Sequence, residues 1–178
     1  MLYGGSRIHI TRRSLMRKQF LAFASAALVA VAFPILARAQ SADIVETANA
    51  AGNLKTFSKA IVESGLAETL KGVGPFTVFA PSDDAFAKLP PGRLASLMKD
   101  KSALKEVLLY HVVTGTLTSA DIEKLNGKSR KTAEGGDAKI MTSGAGIMVN
   151  NATVIKADTK ASNGIIHIID SVMMPPGS

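Results

Sequence analysis

The chain has 178 residues, 47% of them hydrophobic and 20% charged, and no Cys; this excludes a disulfide framework, a Cys-ligated metal centre, a thiol nucleophile and a lipoprotein anchor cysteine. The formal charge of +7 belongs to one end. Arg7, Arg12, Arg13, Arg17, Lys18 and Arg38 lie in the first 39 residues with no acid among them, and the remainder carries 15 basic against 14 acidic residues. Non-specific nucleic-acid binding needs a concentrated basic surface, so no nucleic-acid partner is expected.

The basic end leads into an apolar run, Phe20 to Leu36, and then Ala37-Arg38-Ala39. A charged start, a short apolar core and small residues at a cleavage position predict a signal peptide over residues 1–39. Its removal would leave a single domain over 40–178, starting at Gln40. The run is 17 residues long with Pro34 near its end. That is short of the roughly 20 residues needed to span a bilayer core, so no membrane span is expected after cleavage. Thr11-Arg12-Arg13-Ser14-Leu15-Met16-Arg17 has the form of a twin-arginine export signal. A start at Met16 would instead leave a general secretory signal. Both routes deliver the body to the periplasm or the medium.

Helices are expected first. Ile44, Val45 and Ala48 form a short apolar face. Asn53 is placed to cap a second helix, in which Leu54, Phe57, Ile61 and Val62 make one stripe at a 3.6-residue period, closed by Gly65. Leu66, Ala67 and Leu70 mark a further turn of helix. Pro75 to Ala80 is β-rich, with Pro at the tolerated first position and Pro81 as the stop. Ser82 or Asp83 then caps a helix through Phe86, with carboxylates facing the positive end of its dipole. After the break at Pro90-Pro91-Gly92, Leu94, Leu97 and Met98 give one helix face. Asp100 or Ser102 opens the next helix, whose stripe is Leu104, Val107, Leu108 and His111.

From Val112 the period changes to two. Asn126-Gly127, Gly135-Gly136, Ser143-Gly144-Ala145-Gly146, Asn150-Asn151 and Asn163-Gly164 are turn signals. The short β-prone runs between them predict antiparallel hairpins. Ile165 to Val172 is apolar on both parities apart from His167, Asp170 and Ser171, which predicts a central strand buried on both faces. Helices followed by strands give an α+β domain, expected to close at Pro175-Pro176.

Catalytic signals are sparse. His111 and His167 lack H-x-x-x-H or H-E-x-x-H spacing and are expected to be buried and hydrogen bonded, without metal. Ser82, Asp83 and His111 contain the residue types of a hydrolytic triad but no G-x-S-x-G elbow. The Gly-rich turn at 144–146 precedes a strand, unlike a phosphate-binding loop. Met141, Met148, Met173 and Met174 could line an apolar pocket or simply fill a core.

Thr77-Val-Phe-Ala-Pro-Ser-Asp-Asp-Ala-Phe86 resembles the first signature of the fasciclin domain. Tyr110-His111 resembles the Tyr-His motif of that family, and Asn163-Gly-Ile-Ile-His-Ile-Ile-Asp170 its second signature, with Ile where Val is common. The three blocks occur in order, and the resemblance covers residues 43 to 176. It implies an α+β fold, a wedge-shaped β-sandwich with helices packed along one side. It also implies mainly structural roles for Thr77, Pro81, Ser82, Asp83, Phe86, Tyr110, His111, Asn163, Gly164, His167 and Asp170, with Tyr110 and His111 joining helix to sheet. The function it implies is a non-enzymatic, exported binding module without cofactor, in contact with a surface or matrix protein or polysaccharide. The alternative is a carrier of a small apolar ligand such as a carotenoid, as some family members are.

Overall fold

The computed structural model describes residues 42–144 and 146–176. The signal-peptide and export readings fall on residues 1–39 and lie outside the described residues, as does Gln40.

Three helices open the domain: α1 (Ile44–Ala50), α2 (Lys55–Glu63) and α3 (Ala67–Lys71). Asp43 caps α1 in a capping box: its carboxylate accepts from Glu46 N at 2.8 Å, and Glu46 reaches back to Asp43 N at 3.3 Å. The expected stripe of α2 is buried at Leu54, Phe57 and Ile61, but Val62 is 62% exposed. At 3.6 residues per turn Val62 falls about 100° round from Ile61, beyond the edge of the packed face. Asn53 does not cap α2. Its carbonyl accepts from Asp83 N at 2.9 Å, and the Asp83 carboxylate supplies the cap from 27 residues away, accepting from Thr56 N at 2.8 Å.

Strand β1 (Phe76–Pro81) follows, with Pro81 as its last residue, and then α4 (Asp83–Ala87), α5 (Arg93–Lys99) and α6 (Lys101–Tyr110). Ser82, not Asp83, caps α4 through Ala85 N at 3.2 Å. Asp100 caps α6 through Ser102 N and Ala103 N at 3.0 and 3.1 Å. The second half is not all strand: β2 (Val112–Thr114) is followed by α7 (Ser119–Lys124). The signal is a capping box in which Thr118 receives Asp121 N and Asp121 receives Thr118 N. Its single buried apolar residue, Ile122, gives no stripe from which to read a helical period.

The remaining strands are β3 (Ser129–Lys131), β4 (Asp137–Ser143), β5 (Gly146–Val149), β6 (Ala152–Ala161) and β7 (Gly164–Ile169). They join at the expected turn sequences. β7 stops at Ile169, short of the expected Val172. The sheet order is β2-β1-β7-β6-β5-β4-β3, with β1 and β7 parallel and the other neighbours antiparallel. The two end strands meet through an antiparallel bridge between Val113 and Thr132, so the sheet nearly closes on itself. The fold is α+β, as expected.

Period-two alternation divides the apolar residues between two cores. Val78, Ala80, Ile166 and Ile168 face the helices, together with Ile44, Phe57, Ile61, Leu104 and Leu108. Phe79 and Ile169 face into the curl of the sheet, where Ile140, Val149, Ile122 and Met173 pack. β7 is therefore buried on both faces.

Candidate functional site

The signature residues meet around the β1–β7 pair. Thr77 is fully buried in β1. Its hydroxyl donates to Gly115 O at 2.7 Å and accepts from Leu117 N at 2.9 Å, fixing the connection between β2 and α7. At the far end of β1, Pro81 is level with Ile169, and Phe86 packs into the helix-side core. The Asp83 carboxyl would be raised by burial, but the N–H groups of Thr56 and Lys55 outweigh that and hold it below its usual range.

Asn163 spends its whole side chain on the helices. Its Oδ1 accepts from Ile44 N at 3.0 Å, and its Nδ2 donates to Leu70 O and Gly72 O at 2.6 and 3.1 Å. One amide thus ties the start of α1 and the end of α3 to the β6–β7 turn. Beside it, Gly164 lies against β1 so closely that a Cβ would stand 2.0 Å from Phe76 O. Only glycine fits that approach.

His111 is fully buried at the end of α6. Its Nδ1 lies 2.7 Å from Val107 O, and its Nε2 accepts from Met173 N at 3.0 Å. A carbonyl on one nitrogen and an N–H on the other select the neutral ring with its proton on Nδ1. Burial pulls its pKa down to about 4, against the upward pull of the Val107 carbonyl. His111 thus joins α6 to the segment after β7, where a link to the sheet was expected. Tyr110 does link to the sheet: its hydroxyl donates to Asp137 O at 2.9 Å and accepts from Asn150 Nδ2 at 3.0 Å.

His167 is the mirror tautomer. Its Nε2 lies 2.8 Å from Leu117 O, its Nδ1 accepts from Asp158 N at 3.3 Å, and its ring stacks on Phe79 at 5.5 Å. Burial lowers its pKa, opposed by the Leu117 carbonyl and the Asp158 carboxylate. Asp170 accepts from Thr153 N at 2.8 Å and meets Lys88 Nζ at 3.4 Å. Burial would raise its carboxyl, and these partners hold it low instead.

The geometry separates the residue types that could have formed a triad. Ser82, Asp83 and His111 each point their polar atoms at a different backbone segment. A second such set, absent from the sequence reading, is Ser119, Asp158 and His167. Asp158 sits at a positive φ of 57° and accepts from both Ser119 N and Ser119 Oγ. The serine hydroxyl is thus bonded to the carboxylate, and the imidazole holds backbone groups on both nitrogens. The imidazole is therefore not bonded to that hydroxyl, and the carboxylate that is bonded to it is held below its usual range, which makes it a weak base. Among the described residues, no group of three or more His, Cys, Asp or Glu could hold a metal ion.

The outer surface offers open grooves. One of about 550 Å³ lies among the loops at Val73–Pro75, Thr116–Thr118 and Lys160–Ile165. Two more, of about 560 and 400 Å³, flank α2 and share Lys55 and Lys59. Sequence reading passed over these lysines because an exposed polar helix face carries no periodic signal of its own. The methionines do not converge: Met173 is in the inner core, while Met141 is level with Met148 in the β4–β5 register and is 36% exposed. No helix among the described residues is long and apolar enough to cross a membrane.

Comparison with known proteins gives a consistent result. Residues 52–175 match the fasciclin domain family. An uncharacterized protein of Synechocystis sp., sll1735, is 43% identical over 132 residues, covering 74% of this chain and 97% of that protein. Human periostin is 37% identical over 124 residues, 69% of this chain and 15% of periostin. The immunogenic protein MPB70 of Mycobacterium bovis is 36% identical over 111 residues, 62% of this chain and 55% of MPB70. The solved FAS1 domain pair of the insect cell adhesion molecule fasciclin I superposes with a TM-score of 0.57 at 24% identity, over 71% of this chain and 47% of that one. The chain belongs to the fasciclin domain family.

Proposed function

From a chain that belongs to the fasciclin family we propose an exported, non-enzymatic binding module, which mediates attachment by contacting a protein or polysaccharide at the cell surface or in the matrix. The observation that carries the reading is the use of the signature side chains. Thr77, Ser82, Asp83, Tyr110, His111, Asn163, His167 and Asp170 all direct their polar atoms at groups within the domain. Side chains so engaged hold the scaffold, which leaves recognition to the solvent-facing surface. The fasciclin I likeness supports the same reading, since that protein is a cell adhesion molecule. Residues 1–39 supply the export signal, and the domain over 40–178 acts outside the cytoplasm.

The test is deletion of the gene and restoration with the full chain. The proposal requires attachment, aggregation or envelope association to fall on deletion and return on restoration; no change in any of the three would refute it. Native mass spectrometry of the protein from its own periplasm or medium separates the carrier alternative. A mass equal to residues 40–178 supports the binding module. A stoichiometric extra mass favours the carried ligand.

A further inference from the structure

We infer that Met141 and Met148 form an oxidation site. Each thioether takes one oxygen atom from a hydroperoxide without loss of the fold, and an external sulfoxide reductase restores it. The inference goes beyond the binding role and does not depend on its partner. The chain has no Cys and no Trp, so methionine sulfur is its most readily oxidised group, and exposure decides which sulfur reacts. Met173 is 0% exposed and belongs to the inner core. Met98 and Met174 are half-buried against the helix-side core. Met141 is 36% exposed.

Strand register makes the pair. Ile140 is level with Val149, and both pack in the inner core. Met141 is level with Met148 in the next row, so alternation puts both on the outer face. Opposed residues on one face of an antiparallel pair have Cβ atoms about 5 Å apart, so the two thioethers share one patch of surface. Beside them on β6, Thr153 is level with Met148, and Ile155 is 55% exposed. Helix α7 approaches β4 and β5 from the other side, through Ile122 in the inner core.

The step is an oxygen transfer. A sulfur lone pair attacks the terminal oxygen of the hydroperoxide, and the O–O bond breaks. That oxygen becomes the sulfoxide, and its proton passes to the departing oxygen. The sulfur loses two electrons and the peroxide gains them, leaving as an alcohol, or as water when the oxidant is hydrogen peroxide. A sulfoxide is polar. On the outer face it meets water, and Ile140 and Val149 keep their packing on the opposite face. At Met173 it would be a polar group forced into the core. The fold therefore directs oxidant to the sulfurs whose conversion disturbs it least. Reversal needs a thiol reductant, which a chain without Cys does not supply. The reaction that must consume the product is thus a thiol-dependent sulfoxide reduction, with one enzyme for each sulfoxide epimer.

The test exposes the full chain to hydrogen peroxide and follows each methionine by peptide mapping and mass spectrometry. Met1 and Met16, in residues 1–39, are mapped separately. Met141 and Met148 are expected to convert about tenfold or more faster than Met98, Met173 and Met174. The melting temperature should not change when the pair is oxidised. In urea all the rates should fall within about twofold of one another, because the fold makes the selection. Treatment with both reductases and dithiothreitol should return the pair to thioethers. Met141→Gln with Met148→Gln, polar like the sulfoxide, should keep the melting temperature, whereas Met173→Gln should lower it by about 10 °C. Protein recovered from its host after peroxide exposure should carry sulfoxide at Met141 and Met148 ahead of Met98, Met173 and Met174. Equal rates in the folded protein, a fall in melting temperature on oxidation of the pair, failure of the reductases to restore it, or a pair still reduced in the peroxide-treated host would overturn the inference.

Discussion

The β1–β7 pair and the β3–β5 hairpins use the same alternation of side chains to different ends. Along β7, both faces are buried, β1 and β6 pair with it on either side, and His167 holds a backbone partner on each ring nitrogen. Along β4, Ala138 and Ile140 point into the curl while Asp137, Lys139 and Met141 face water. The first region tolerates almost no change of shape, because both its faces and its backbone are in contact. The second is constrained on one face only. A family signature therefore marks where the chain is most crowded, and crowding is a different property from activity.

Glycines give the largest test of this contrast. Gly164→Ala places a methyl 2.0 Å from Phe76 O and is expected to cost about 4 kcal/mol or more, or to prevent folding. Gly144→Ala, in the β4–β5 turn with nothing within 4 Å, is expected to change stability by no more than about 0.5 kcal/mol. Paired urea denaturation curves would measure both; equal effects would erase the distinction.

The buried histidines come next. In the unfolded chain they titrate near 6.5, whereas burial holds His111 to about 4 and lowers His167. Between those values the unfolded chain binds protons that the folded one does not. Stability is therefore complete above about pH 6.5 and is lost as pH falls toward 4, by about 3 kcal/mol from His111. The lowered carboxyls of Asp83, Asp158 and Asp170 act below that window. A urea midpoint flat from pH 7 to 4.5 would contradict this. Replacing His111 with Ala should cost about 1–3 kcal/mol by orphaning Met173 N and should flatten the same pH curve.

Smaller again is the cap of α2. Asp83→Ala is expected to lose about 1–2 kcal/mol, while Asn53→Ala should be nearly neutral, because Asn53 contributes through its carbonyl. Thermal melts of the two variants would compare the distant cap with the local one.

The Asn53 and Asp83 pair also shows what the sequence makes legible. Local chemistry is readable: Asp100 as one of two adjacent cap candidates, the Gly65 stop, the turn dipeptides and the doubly apolar β7 all follow from neighbouring residues. Asp83 acts on a helix 27 residues earlier, a relation with no local signal, so a plausible nearby Asn took its place in the reading. Helix α7 escaped for a related reason, since it buries one apolar residue and is held by Asp158 from β6. The histidines were legible as buried, but their partners at Met173 and Leu117 were not. The surface beside α2 was the least legible. Lys55 and Lys59 form an ordinary polar helix face until α1 and α5 are placed on either side of it.

The central claim is that the signature side chains hold the scaffold and the outer surface does the binding. Tyr110→Phe tests it most directly, because it removes one hydroxyl that bonds Asp137 O and Asn150 and nothing else. Attachment by the deletion strain carrying this variant would be measured alongside the amount of folded protein. The account predicts lower stability, by about 1–2 kcal/mol, and normal attachment per folded molecule. Loss of attachment at an undiminished level of folded protein would contradict it.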